Sequence, residues 1–100
     1  MFADLSATVP TIAKPQIYLA RIEIRRGAPE TALRRLQGLQ RQFPEESEVV
    51  LYLGYAHEKL GQNDRAEDAY RHALNLRPDS PRALLRLSTV LIRRKRYNEA

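Results

Sequence analysis

The side chains with the most obvious potential for chemistry in this sequence are two histidines and a group of three glutamates. His57 and His72 lie 15 positions apart, and neither has a partner at a spacing typical of a metal site. Glu45, Glu46 and Glu48 lie at the start of a predicted helix, where negative charge stabilises the helix dipole. We therefore assign these residues structural or solvated roles. The sequence predicts neither an enzyme nor a metal or cofactor site.

The composition excludes several kinds of catalytic site and gives the chain a net positive charge. Cysteine is absent, which removes disulfides, thiolate ligands and thiol nucleophiles. No phosphate-binding glycine pattern occurs, and the serines have no evident base partner. Lys and Arg number 17 against 12 Asp and Glu, so the net charge is +5. A basic balance of this size is compatible with acidic proteins, nucleic acids or anionic membranes as partners.

The elements that position these residues follow from an internal repeat. A shift of 34 residues brings small and apolar positions into register along most of the chain. A fixed period of this length is typical of stacked repeat arrays. The positions that align are Leu19, Leu53 and Leu87; Ala20, Gly54 and Ser88; Ala32, Ala66 and Ala100; Gly27 and Gly61; Pro44 and Pro78.

The second unit carries a pattern that resembles the tetratricopeptide repeat family. The residues that carry it are Leu53, Gly54, Gly61, Ala66, Tyr70, Ala73 and Pro78. The resemblance implies an all-α fold of stacked antiparallel helix hairpins, an α-solenoid with two full repeats and a partial third. We expect a lead-in at 1–12, repeats at 13–46 and 47–80, and the partial repeat at 81–100.

Each unit divides into two helices near the same register position, which is occupied by Gly27, Gly61 and Lys95 in turn. Asp79 or Ser80 can cap the start of the predicted helix 80–94, because their side-chain oxygens accept hydrogen bonds from backbone N–H groups. The predicted helices are 15–26 with 29–42, 46–60 with 63–76, and 80–94 with a short segment from 97.

The small residues of the repeat have a structural explanation. Two antiparallel helices approach closely only where their side chains are small, which offsets the cost of about 0.5–1 kcal/mol for a glycine inside a helix. We expect three facing pairs, one for each hairpin. These are Ala20 with Ala32, Gly54 with Ala66, and Ser88 with Ala100.

The family resemblance also implies a binding surface, because the first helix of each hairpin lines the concave face of such arrays. A row of basic residues and a patch of tyrosines fall on that face by register. Tyrosine and arginine are over-represented in binding hot spots. The predicted partner-binding residues are Tyr18, Arg21, Arg25, Tyr52, Tyr55, Lys59, Arg82, Arg86 and Arg93.

The function predicted from these features is a protein-interaction scaffold or adaptor that binds a peptide or helix with acidic and apolar residues. The alternative is self-association into a dimer or polymer through the incomplete last repeat. Nucleic acid is the less favoured partner, because the middle repeat is net acidic and interrupts a continuous basic track.

Two features of the sequence bear on the compartment of the protein. The first 15 residues lack a basic start and an apolar block, so they do not resemble a secretory signal. No run of about 18 apolar residues suggests a membrane span. These features suggest a cytoplasmic protein, or equally a fragment of a longer repeat array.

Overall fold

The computed structural model describes the backbone of residues 5–99 and the side chains of residues 14–95. Over that range the chain forms α-helices and no strand, which confirms the predicted all-α fold. No helix in the described part is both long and apolar enough to cross a membrane. The helices are α1 (Leu5–Arg25), α2 (Pro29–Gln42), α3 (Ser47–Lys59), α4 (Asn63–Leu76) and α5 (Pro81–Glu99).

Two glycines form the turns that join α1 to α2 and α3 to α4. Gly27 and Gly61 have φ angles of 89° and 77°, a left-handed conformation that is strained for residues with a Cβ atom. The chain therefore reverses direction within a short turn, and each pair of helices packs as an antiparallel hairpin. The predicted division of the first two units at these glycines is confirmed.

Helix α3 occupies the centre of the array, since it packs against all four other helices. The apolar core is continuous from α1 to α5, which joins the two hairpins and the last helix into one stack. The largest side chains that are fully buried in this core are Leu36, Val49, Val50, Tyr70 and Val90.

Small residues lie inside both hairpins. Ala20 and Ala32 are fully buried, which agrees with the close approach predicted for the first hairpin, and Ala66 is equally buried in the second. The predicted pair of Ser88 and Ala100 lies partly outside the described residues, because Ala100 is not described.

The space beside Gly54 is occupied by an aromatic ring. A Cβ atom built on Gly54 would lie 2.6 Å from Cε1 and 2.8 Å from Cδ1 of Tyr70. The glycine is therefore needed to accommodate the Tyr70 ring. The pairing of Gly54 with Ala66 across the hairpin stays a prediction.

Helix α1 begins earlier than predicted, at Leu5 rather than near residue 15. It therefore includes most of the segment 1–12 that the sequence suggested as a lead-in outside the repeat. Pro15 lies inside this helix, where it removes one backbone donor without ending the helix. Residues 1–4 lie outside the described part of the chain.

Helix α5 begins as predicted and ends later. The N–H of Ala83 donates a hydrogen bond to Oγ of Ser80 at 3.3 Å, so Ser80 rather than Asp79 caps the helix. The predicted turn at Lys95 is wrong, because α5 continues to Glu99. The first two hairpins turn at this register through a glycine with positive φ, which a lysine adopts only with strain.

An ion pair ties α1 to α2 at the edge of the core. Arg35 donates from Nη2 to Oε2 of Glu23 at 2.9 Å and from Nη1 to Oε1 of Gln16 at 2.8 Å. The hydrogen bonds and charge of Arg35 hold the pKa of Glu23 below its ordinary value of 4.5, against a smaller opposing effect of burial. The pair therefore stabilises the hairpin only while Glu23 is ionised.

This pair predicts a difference in acid stability. Because the folded pKa of Glu23 lies below 4.5, its contribution is complete above pH 4.5 and is lost as the pH falls through the folded pKa. We expect Glu23→Gln to unfold with a shallower loss of stability below pH 4.5 than the wild type, measured by urea titration. Glu30→Gln is the control, since Glu30 has no ion-pair partner among the described side chains. Equal slopes for Glu23→Gln and wild type would contradict this assignment.

Candidate functional site

A cavity of about 250 Å³ opens between α1, α3 and α5, the first helices of the three units. We call it the groove. It brings together six of the nine predicted partner-binding residues and adds two leucines of the same helices. Its lining residues are Arg21, Arg25, Leu51, Tyr52, Tyr55, Arg82, Leu85 and Arg86.

Helical spacing explains why basic side chains line both sides of the groove. Arg21 and Arg25 are four residues apart on α1, and Arg82 and Arg86 are four apart on α5, so each pair shares one helix face. Helix α3 lies between these two walls and contributes tyrosines to the lining. The groove therefore has two cationic walls and an aromatic floor.

The tyrosines of the floor hold the arginines of the α5 wall. Nη1 of Arg82 donates to the hydroxyl of Tyr52 at 2.8 Å. The guanidinium of Arg86 lies 4.5 Å from the centre of the Tyr55 ring, in a cation–π contact. Because Tyr52 is buried, its hydroxyl is a fixed acceptor for Arg82. These contacts restrict the α5 arginines in the absence of a bound partner.

The positive charge of the groove is not neutralised by neighbouring acids. Among the described side chains, no carboxylate lies within ion-pair distance of the four groove arginines, whereas Arg35, Arg71, Arg77, Arg93 and Arg94 all have such a partner. An anionic group in the groove would therefore find guanidinium donors that have no competing carboxylate. Arginine pairs with carboxylates in a two-pronged geometry that favours specific recognition.

Three predicted residues lie outside the groove lining. Tyr18 is 61% exposed and does not line the cavity. Lys59 and Arg93 line a neighbouring polar cavity of about 780 Å³ near the turn after α3. Lys59 nevertheless approaches the groove, since its Nζ lies 5.4 Å from the centre of the Tyr55 ring.

Arg93, which the sequence predicted as a partner-binding residue, contacts the carboxylate of Glu58 in the structure. Glu58 accepts hydrogen bonds from the hydroxyl of Tyr70 at 2.7 Å and from Nη1 of Arg93 at 3.0 Å, and its side chain is 6% exposed. Burial, and then the hydrogen bond to Glu58, raise the pKa of Tyr70 well above its ordinary value. Arg93 is thus engaged in joining α5 to α3. The sequence signal for this ion pair was Glu58 itself, an acidic residue on the inner face of α3 about one helical turn after Tyr55.

Neither histidine contributes to a cluster of potential ligands. Nδ1 of His57 lies 2.8 Å from Oε1 of Gln62, a contact within the α3–α4 turn region. In the described part of the chain, no group of three or more His, Asp or Glu side chains is placed to hold a metal ion.

The repeat register and the hairpins have counterparts in known proteins. The family model described as "Tetratricopeptide repeat" matches residues 19–81 and 56–100, which together span most of the chain. The chain belongs to the tetratricopeptide repeat family. This confirms the resemblance carried by residues such as Gly54, Gly61 and Tyr70. A search of curated protein sequences gave no match.

Solved protein structures resemble the chain in both fold and sequence. One is MamA, residues 41 to the end, from Desulfovibrio magneticus RS-1, with a TM-score of 0.75 and 34% identity over 86% of this chain. The ArsTM double mutant of MamA RS-1 gives the same TM-score, identity and coverage. The chain spans about half the length of these proteins, 49% and 48% respectively.

Proposed function

We propose that the chain is a protein-interaction module that binds an extended peptide with acidic residues and an apolar anchor in the groove. Its membership of the tetratricopeptide repeat family and its likeness to MamA support the more general role of an interaction repeat module. The observation that carries the specific proposal is a set of four arginines around two tyrosine rings, none of which has a carboxylate partner among the described side chains.

The two walls suit different parts of such a peptide. Carboxylates of the peptide would pair with Arg82 and Arg86 on one side and with Arg21 and Arg25 on the other. An apolar side chain between them would pack on Tyr55 and the nearby leucines of the groove. Charge-assisted hydrogen bonds of this kind are about twice as strong as neutral ones.

The first test is binding of a fluorescent peptide that alternates glutamate with leucine. We expect Arg21→Ala with Arg86→Ala to weaken binding by at least about tenfold and to reduce its dependence on salt, because both walls lose a cation. Fluorescence anisotropy at several salt concentrations measures both effects. Tyr52 is left unchanged because it is buried, and its loss would disturb folding as well as binding.

Two controls make this result specific. Arg34→Ala with Arg41→Ala removes the same charge from α2, outside the groove, and should leave the affinity nearly unchanged. A peptide with glutamine in place of glutamate should bind much more weakly than the acidic peptide. Equal affinity of the two peptides, or equal losses in both double variants, would contradict binding of acidic groups in the groove.

Nucleic acid is a poorer fit to the basic residues at the end of α5. Arg93 pairs with Glu58, and Arg94 pairs with Asp64 at 3.0 Å and with Glu67. A phosphate backbone would have to compete with these carboxylates. Self-association, the alternative predicted from the sequence, stays a prediction.

A further inference from the structure

The groove holds more positive charge than a few peptide carboxylates can neutralise. Four guanidinium groups line a cavity of about 250 Å³, and among the described side chains none of them has a carboxylate partner. This volume corresponds to about eight water molecules, so few anionic side chains can enter it together. One carboxylate at each wall would leave half of the positive charge unpaired.

The α5 wall, formed by Arg82 and Arg86, holds two of these cations in fixed positions. They lie one helical turn apart, where like charges destabilise a helix. Nη1 of Arg82 donates to the hydroxyl of Tyr52 at 2.8 Å, and the guanidinium of Arg86 lies 4.5 Å from the centre of the Tyr55 ring. Both partners are tyrosines rather than carboxylates, so these contacts restrain the arginines without neutralising them.

Lys59 adds a third cation beside the α5 wall. Its Nζ lies 5.4 Å from the centre of the same Tyr55 ring that Arg86 contacts. Lys59 also has no ion-pair partner among the described side chains. One aromatic ring thus holds an ammonium and a guanidinium near each other. An anion with a charge close to −2 and several acceptor oxygens matches this arrangement better than a single carboxylate does.

We propose that the α5 wall binds the phosphate group of a phosphorylated residue in the partner peptide. This inference rests on the proposed binding of a peptide in the groove. A phosphorylated serine or threonine carries a charge of about −1.5 to −2 at pH 7 and three strong acceptor oxygens. Guanidinium groups bind phosphate through two parallel hydrogen bonds. Phosphorylation of the partner therefore controls its affinity for the groove.

The extent of the cationic surface favours a protein segment over a nucleic acid. A nucleic acid carries a phosphate on every nucleotide and binds most strongly to an extended set of free cations. Farther along α5, Arg93 and Arg94 are already paired with carboxylates of α3 and α4. The groove also includes Leu51 and Leu85, apolar side chains that suit the residues flanking a phosphorylated position in a peptide.

Three fluorescent peptides test the proposal with the full chain. They share the alternating glutamate and leucine sequence and differ at one central position, which is phosphoserine, glutamate or serine. We expect the phosphoserine peptide to bind at least about tenfold more tightly than the glutamate peptide at about pH 7.5, and the serine peptide to bind most weakly. Fluorescence anisotropy measures the three affinities.

The pH dependence of binding separates a phosphate from a carboxylate. The second pKa of a phosphate monoester is about 6, so lowering the pH from about 7.5 to about 5.5 should weaken the phosphoserine peptide by up to about fourfold. The glutamate peptide should change little, because its carboxylates titrate near about pH 4.3. Among the described residues, those that line the groove include no histidine and no carboxylate. The charged and titratable groups there are the arginines of α1 and α5 and the tyrosines of α3, with Lys59 beside them.

Paired variants identify the wall that holds the phosphate. Arg82→Ala with Arg86→Ala should bring the affinities of the phosphoserine and glutamate peptides close together. Arg21→Ala with Arg25→Ala removes the same charge from the α1 wall and should weaken both peptides while keeping the ratio of their affinities. Arg82→Lys with Arg86→Lys keeps the charge of the α5 wall, and the ratio should still fall, because an ammonium group lacks the paired donors of a guanidinium.

The outcomes distinguish this inference from the function on which it rests. Equal affinity of the phosphoserine and glutamate peptides for the wild type would overturn the phosphate site and leave a groove for acidic peptides. No binding of either peptide would overturn both. A ratio lowered equally by the variants of the two walls would overturn the assignment to α5. Competition by inorganic phosphate as strong as by the phosphoserine peptide, or tighter binding of a single-stranded oligonucleotide, would overturn a phosphorylated protein segment as the occupant.

Discussion

Replacing Gly54 with leucine should destabilise the array by at least about 3 kcal/mol, because the new side chain overlaps the ring of Tyr70. Even the first atom of that side chain would lie 2.6 Å from Cε1 of the ring. Tyr70 cannot move aside easily, since it is fully buried and its hydroxyl is bonded to Glu58. Urea unfolding followed by circular dichroism measures the loss.

Gly38 offers a matched control in the same fold. It also lies inside a helix, but no atom comes within 4 Å of the position of its missing Cβ. Gly38→Ala should therefore stabilise the protein by about 0.5–1 kcal/mol through helix propensity alone. A Gly54→Leu variant that melts like the wild type would show that the ring is not packed as described.

The first hairpin suggests how the loss can be repaired. Its aligned positions hold Ala20 and Leu36, both fully buried. Combining Gly54→Ala with Tyr70→Leu should recreate that pairing, so the double variant should be more stable than the sum of the two single changes by about 1 kcal/mol. Additive losses would mean that the two positions do not restrict each other.

Replacing Glu58 with alanine should cost about 2–4 kcal/mol of stability, the second large effect expected for this molecule. The carboxylate accepts hydrogen bonds from Tyr70 on α4 and Arg93 on α5, so its loss leaves two donors from different helices without their partner. The Tyr70 hydroxyl lies in the interior, where an unsatisfied polar group is costly. Chemical denaturation of the variant measures the loss.

Two further variants separate the contributions of the two bonds. Tyr70→Phe removes one donor and keeps the ring that fills the space at Gly54. Arg93→Ala removes the other donor, which is partly exposed, and should cost less than Glu58→Ala. If Glu58→Ala were no more harmful than Arg93→Ala, the buried bond to Tyr70 would contribute little.

The repeat register can be recognised in the sequence because helix packing requires particular residue types at fixed positions. Close approach of helices requires small residues at fixed positions, and Gly27 and Gly61 are needed where the backbone has positive φ. The same register predicts a turn at Lys95 that the structure does not have. The alignment of the repeats gives the position of the turn, but a residue other than glycine does not readily adopt the positive φ angle that the turn requires. The early start of α1 was likewise hidden, since residues 1–12 show no match to the repeat.

The groove was partly predictable for a similar reason. Helical spacing and register indicate that Arg21, Arg86 and Tyr55 share one surface, and they line the same cavity. The engagement of Arg93 with Glu58 was not predictable, because it depends on the distance between α3 and α5 and on side-chain conformations. A count of charged residues treats Arg93 as an unpaired cation, although the buried carboxylate of Glu58 already binds it.

The central position of α3 has a consequence for how the molecule unfolds. A long repeat array can lose an end unit while the remaining units stay folded, because each unit contacts only its neighbours. Here α1, α2 and α4 pack on α3, and α5 contacts α3 while packing mainly on α4, so no described helix pair is independent of α3. Separating either hairpin exposes apolar surface of the same helix, which favours cooperative, all-or-none unfolding over stepwise fraying from the ends.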